Sequence, residues 1–264
     1  MDDKAVAHAA GILCQKRVEG EIVDALPEDC RPRDEEEAYL IQAALHDRLA
    51  AAGQGPLDGY KIGCTTPVMQ AYLKIPQPCA GGVMARGVHF GAGRFHAPEH
   101  GRLGVECEVA VRLRTALDPM DSPYGRNSVA DAVGSCMAAI EIVADRYDDY
   151  GSLGTPTLIA DDFFNAGLVL GDPLEDWHGL DLAALRGQMA VNGEVVGTGV
   201  GGDILGHPLE ALVWLANRWS GLGRGLPAGA FVTLGSVVET RWISAGDEVV
   251  AEIEGLGEVR AVFE

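Results

Sequence analysis

The sequence predicts an α+β protein in which a helical N-terminal portion leads into a mixed or antiparallel β structure. Three observations predict it. Asp3–Val18 is Ala-rich, and Glu35–Ala52 follows a cap-like Asp34 and Glu37, so helices open the chain. From Ile75 onward, glycines at 81, 82, 91, 93, 101 and 104 punctuate short apolar segments, the texture of strands joined by turns. Val105–Leu113 alternates Val105, Cys107, Val109 and Val111 with Glu106 and Glu108, which gives a strand one apolar face and one face bearing two carboxylates. The expected division is 1–74, the helical portion leading into a strand around Lys61, and 75–264, the β domain.

The remaining elements follow in order. Pro27–Pro32 breaks the first helix from the second, whose apolar stripe is Tyr39, Leu40, Ala43, Ala44 and Leu49. Gly53–Asp58 ends it. Gly59–Gly63 is a short strand, and Pro67–Leu73 a further helix. Ser128–Ile140 reads as a helix running toward Glu141-Ile142-Val143. Leu168–Gly171 is a strand, and Gln188–Val196 a hairpin turning at Asn192-Gly193. Pro208–Ser220 is an amphipathic helix with Leu209, Leu212, Val213, Ala216 and Trp219 on one face. Phe231–Gly235, Glu248–Ile253 and Val259–Phe263 are closing strands.

A net charge of −19 argues against nucleic acid and anionic membrane surfaces as partners, and makes an anionic substrate dependent on a metal or a placed Lys. No apolar run reaches the length of a membrane span, and no signal peptide is read at Met1-Asp2-Asp3-Lys4, so a cytoplasmic protein is expected. The six cysteines are scattered without a Cys-x-x-Cys pair and are expected as reduced thiols.

Glu106 and Glu108 project side by side. Such a pair persists if a cation lies between the two, if one is protonated, or if both face water. Glu141 tilts the balance to the cation, because a lone carboxylate inside Met137–Val143 is costly to bury unpaired. Three carboxylates make an oxygen-rich site suited to Mg²⁺ or Mn²⁺, and no His or Cys falls at zinc-ligand spacing. Lys61 either snorkels to water or stands as a cation beside the metal, holding a substrate carboxylate or moving a proton. Gly197–Gly202 matches G-x-G-x-x-G, but it follows a hairpin strand rather than opening a βαβ unit, so a Gly-rich loop lining a pocket is expected instead of a dinucleotide site. His207-Pro208 reads as a lead into a helix ahead of a catalytic imidazole. Asp161 and Asp162 are either a loop acid pair or a turn.

Gly59-Tyr60-Lys61-Ile62-Gly63, Glu106-Cys107-Glu108, Ile140-Glu141-Ile142, Ala160-Asp161-Asp162, Asn192-Gly193 and Gly206-His207-Pro208-Leu209 stand in an order that resembles the fumarylacetoacetate hydrolase superfamily. Within it the chain looks most like the 2-keto-4-pentenoate hydratase and 4-oxalocrotonate decarboxylase branch. The resemblance implies a mixed β-roll core of the fumarylacetoacetate hydrolase type behind the helical portion, a Mg²⁺ or Mn²⁺ site, and a homo-oligomer. It implies Glu106, Glu108 and Glu141 as metal ligands, Lys61 as the active-site lysine, and Ser236, of Gly235-Ser236, near the substrate. The implied activity is a lyase adding water to a 2-hydroxy-2,4-dienoate in the catabolism of aromatic compounds. A 4-oxalocrotonate-type decarboxylase and a non-catalytic partner subunit are the alternatives. The chain departs from the hydratase pattern at Cys79, Asp162 and Leu234, and Arg146-Tyr147 leans toward the decarboxylase side.

Overall fold

A computed structural model describes residues 1–73, 75–96 and 101–264; the expected domain boundary at residue 74 lies outside them. Helix α1 (Asp3–Glu19) starts where Asp2 accepts the Ala5 N–H at 2.8 Å and stops at Gly20, whose φ of 71° is left-handed. Helix α2 (Glu35–Leu49) is capped as expected by Asp34, which accepts the Glu37 N–H at 2.9 Å. It ends at Leu49 rather than Ala52, because a π-helical turn takes Ala50–Gln54. Its buried face also differs from the predicted stripe. Leu40 is exposed, whereas Gln42 and His46 point inward. Gln42 Nε2 donates to the Ala80 and Ile159 carbonyls at 2.9 and 2.7 Å, which satisfies a buried amide that hydrophobic periodicity cannot foresee.

The strands and short helices follow: β1 (Leu57–Gly63), α3 (Pro67–Leu73), β2 (Cys79–Met84), β3 (Val88–Phe90), β4 (Ala92–Phe95) and β5 (Arg102–Leu113). Next come α4 (Arg126–Ala132), β6 (Val133–Asp145), α5 (Tyr150–Leu153), α6 (Thr155–Ala160) and β7 (Asn165–Leu170). The chain closes with β8 (Arg186–Val191), β9 (Glu194–Val200), α7 (Pro208–Gly221), β10 (Phe231–Ser236), β11 (Arg241–Trp242), β12 (Glu248–Ile253) and β13 (Gly257–Phe263). They form two mixed, open sheets. One runs β2-β1-β10-β5-β6-β7-β3, with β11 beside β5; the other runs β4-β13-β12-β8-β9. The pairs β1–β10, β3–β7 and β4–β13 are parallel, and the rest are antiparallel.

The helix expected over Ser128–Ile140 is wrong beyond Ala132. From Val133 the chain is the 13-residue strand β6, central between β5 and β7. Met137, Ala138, Ala139 and Ile140 are all buried, so neither face is polar and no period of two marks the strand. The β5 alternation holds: Val105, Cys107, Val109 and Val111 are fully buried and join the core that the five-stranded sheet covers. Buried residues of α1 and α2 belong to that same core.

The hairpin turns at Asn192 (φ 51°) and Gly193 (φ 83°), the paired left-handed conformation that Asn-Gly favours. The Gly197–Gly202 run is no pocket loop. It is the end of β9 and a 3₁₀ turn over Gly201–Asp203. A Cβ would collide with Val238 at Gly197, with the Val237 carbonyl at Gly199 and with the Leu182 carbonyl at Gly201. Gly197 and Gly199 let β9 close onto the segment after β10, and Gly201 lets the turn that follows β9 pack on the Leu182 backbone. His207 is the N-cap of α7, its Nδ1 accepting the Leu209 N–H at 3.1 Å. All six cysteines are free and buried. No helix among the described residues is long and apolar enough to cross a membrane.

Candidate metal centre and pocket

The sheet register assembles the centre. In the antiparallel β5–β6 ladder, Glu106 lies directly opposite Glu141. Glu108 lies two residues along the same face, opposite Ser236 on β10. Between Thr233 and Ser236 the β5–β10 ladder shifts register, and Gly235 adopts a φ of 121° there. That shift turns the Gly235 N–H onto Glu108 Oε2 at 2.9 Å. A side chain at Gly235 would clash with Thr65. One oxygen from each of Glu106, Glu108 and Glu141 lies within 4.8 Å of the others.

Each carboxylate has a partner away from this focus. Thr240 donates its hydroxyl to Glu106 Oε1, and Asn165 Nδ2 donates to Glu141 Oε1 at 3.0 Å. Lys61, on β1, places Nζ 3.3 Å from Glu141 Oε1. Two oxygens, Glu108 Oε1 and Glu141 Oε2, are buried with no hydrogen-bond partner in the protein. Burial and the neighbouring charges of Glu141 and Glu106 push the Glu108 carboxyl well above its usual range. Burial and Glu141 also raise Glu106, against the pull of Lys61 and Thr240. Burial disfavours the Lys61 ammonium, but Glu141, Glu106 and Glu108 together outweigh it and hold its pKa above the ordinary value. With all three ionised, the carboxylates and the one ammonium leave two negative charges, the complement of a divalent cation. The donors are all hard oxygens, and two of them lack partners, so these residues fit a hard divalent cation.

A cavity of about 200 Å³ opens beside the carboxylates. Lys61, Glu106, Ser236 and Thr240 line its polar end; Met69, Leu73, Val143, Phe163, Phe164 and Trp242 line much of the rest. Ser236 lines the cavity, and its hydroxyl donates toward backbone carbonyls, Cys107 at 3.1 Å and Val238 at 2.6 Å. Asp161 and Asp162 are not a turn on the surface. Both are fully buried, in a cluster with Arg17, His46, Arg146 and Tyr147. Arg146 and Tyr147 are therefore committed to Asp161 and are absent from the described cavity lining. Cys79 is a buried thiol whose pKa burial raises strongly. Thr240, Asn165 and Phe163 are parts of the site that sequence reasoning missed. Their partners lie far away in the chain, and no local pattern marks them.

The model of the fumarylacetoacetate (FAA) hydrolase C-terminal family matches residues 71–264, and the chain belongs to that family. Among its relatives, the 2-keto-4-pentenoate hydratase of Paraburkholderia phymatum is 33% identical over 265 residues, covering 99% of this chain and 98% of that protein. The 4-oxalocrotonate decarboxylase of Pseudomonas putida is 28% identical over 235 residues, 86% of this chain and 84% of that one. Among solved structures, 4-oxalocrotonate decarboxylase from Pseudomonas putida G7, complexed with magnesium and adipate, superposes with a TM-score of 0.91 at 23% identity, covering 100% of this chain and 99% of that chain.

Proposed function

We propose that the protein is a divalent-metal-dependent lyase, a hydratase that adds water to a 2-hydroxy-2,4-dienoate to give a 4-hydroxy-2-oxo acid in the catabolism of aromatic compounds. One observation carries this reading: a carboxylate cluster two charges short of neutrality sits with Lys61 at one end of a cavity that is otherwise largely apolar. The 33% identity to a 2-keto-4-pentenoate hydratase over nearly the full length of both chains supports it.

In this reading Glu106, Glu108 and Glu141 hold Mg²⁺ or Mn²⁺. Bound there, the ion supplies Lewis acidity toward the oxygens of a 2-oxo acid. Lys61 holds the substrate carboxylate or moves a proton, and its ammonium stands 3.3 Å from Glu141 under the Phe163 ring, 4.9 Å from the ring centre. Met69, Leu73 and Phe164 shield the diene from bulk water. The C2 hydroxyl gives up a proton as the far carbon of the diene, C5, gains one; the hydroxyl of a water then adds at C4 and a proton at C3, so one water is consumed per substrate. The same reading includes a homo-oligomer.

The decarboxylase relative makes a dicarboxylate the second candidate substrate. The cavity disfavours it. Among its described lining residues, Lys61 is the single basic side chain. Arg102, further along the same face of β5, is paired with Asp145 at 3.2 Å and stacked on Trp242 at 3.8 Å. A distal carboxylate would meet apolar surface without a free cation. Purified protein with Mg²⁺ or Mn²⁺ is expected to turn over 2-hydroxypenta-2,4-dienoate with a kcat/KM at least tenfold above that for 4-oxalocrotonate. Loss of dienol absorbance with 4-hydroxy-2-oxopentanoate as product and no CO₂ is the signature. CO₂ release as the faster reaction would establish the decarboxylase instead. Silence on both substrates with metal bound would favour the partner-subunit reading.

A further inference from the structure

Asp162, Phe163 and Phe164 form an arch of three successive left-handed residues, with φ of 58°, 46° and 68°. None is glycine. Side chains rarely adopt this conformation once, and a run of three persists only where the surroundings over-determine it. The surroundings do so from both ends. Asp162 Oδ1 accepts the Gly82 N–H at 2.7 Å and lies 2.6 Å from His46 Nε2, and its Oδ2 accepts from Arg17 Nη1 at 2.6 Å. Asp161 Oδ2 accepts from Arg146 Nε at 2.6 Å and from the Tyr147 hydroxyl at 2.9 Å. Gly81 leaves room for the Asp162 backbone, which a Cβ there would strike. The arch delivers Phe163 to the cavity with its ring over Lys61 Nζ, and packs Phe164 edge-on against Phe163, Tyr147 and Tyr150. Directly after it, Asn165 reaches Glu141.

Two of the clamps come from the N-terminal helices. Arg17 is on α1 and His46 on α2, both outside the segment that the family model covers. We infer that Arg17 and Asp162 are positioning residues, through which the N-terminal helices hold Phe163 over Lys61 and so fix the ammonium toward Glu141. The inference rests on the reading of this cavity as the active site. Neither residue lines the cavity, so each acts through Phe163. The ring face attracts the ammonium and limits its swing.

The test is a double-mutant cycle of Arg17→Met and Phe163→Leu in the full chain. Each single variant is expected to lower kcat on the dienoate about tenfold, with KM within threefold of wild type. The double variant is expected to be no slower than the slower single one, since both remove the same constraint. Multiplying losses, or an unchanged kcat in folded Arg17→Met, overturns the inference. Where Arg17→Met does not fold, Asp162→Asn takes its place in the cycle. A second readout is independent of turnover. Amide exchange over residues 161–165 in Arg17→Met is expected to quicken at least tenfold while β5 exchange stays unchanged; unaltered exchange in the arch also overturns the inference. A wild-type protein silent on every dienoate would defeat the functional reading, and the exchange measurement would still decide the arch.

Discussion

Replacing Glu141 with glutamine is expected to abolish divalent-metal binding and lower dienoate turnover by more than about 100-fold, while the metal-free fold stays intact. The size follows from a comparison. Losing an outer partner of a metal ligand typically costs about 10–100-fold, and Glu141 is a proposed ligand itself. The intact fold follows from the electrostatics. Glu141 stands directly opposite Glu106 and raises the pKa of both Glu106 and Glu108. The amide removes that repulsion and keeps an oxygen for the Asn165 N–H, at the cost of the Lys61 partner. Calorimetry separates the two effects. Mg²⁺ is expected to raise the melting temperature of the wild type and leave the variant unmoved, because only binding to the folded state shifts it. Saturable stabilisation of Glu141→Gln by Mg²⁺ would remove the metal reading.

Much of this centre was legible in the sequence. The alternation from Val105 to Val111 separates an apolar face from a carboxylate face, and the structure keeps both. Glu141 stood out because a carboxylate in an apolar run demands a partner. The strand that carries it did not stand out, since Val133–Ile140 is buried on both faces and its small residues mimic a helix. Asp161 and Asp162 were illegible for another reason. Their meaning depends on Arg17 and His46, which lie 145 and 116 residues from Asp162 in the chain. Thr240 and Asn165 stand 134 and 24 residues from the carboxylates they reach, and each contributes a single hydrogen bond that no spacing announces. The glycines at 197–202 misled in the opposite direction. They resemble a ligand loop because close backbone packing and phosphate binding need the same missing side chain.

Replacing Lys61 with methionine is expected to cut turnover by about 10²–10⁴-fold, the usual range for removing a placed proton carrier, while metal binding remains. Methionine keeps much of the volume and deletes the charge. The variant also alters the energetics of the metal-free protein. Lys61 is the ammonium that faces Glu141 at 3.3 Å, and without it Glu106, Glu108 and Glu141 confront one another uncompensated. Removing one partner of a buried ion pair costs about 3–5 kcal/mol. The metal-free variant is therefore expected to melt well below the metal-free wild type. Mg²⁺ restores the missing positive charge, so the rise in melting temperature on adding it is expected to be larger than in the wild type. Unchanged kinetics would remove Lys61 from the mechanism.

The burial of every cysteine has a consequence for the protein's chemical ageing. Cys107 and Cys136 are pushed up to about 12 by burial, and Cys79 is raised strongly as well. Reaction with oxidants and electrophiles needs the thiolate and access to it, and the closed molecule withholds both from these three cysteines. Oxidation of these three thiols is thus gated by opening of the fold rather than by exposure time. An intact copy does not wear gradually at its surface thiols. These thiols stay silent until it opens, and a destabilising substitution anywhere in the core would hasten oxidation of cysteines it never touches.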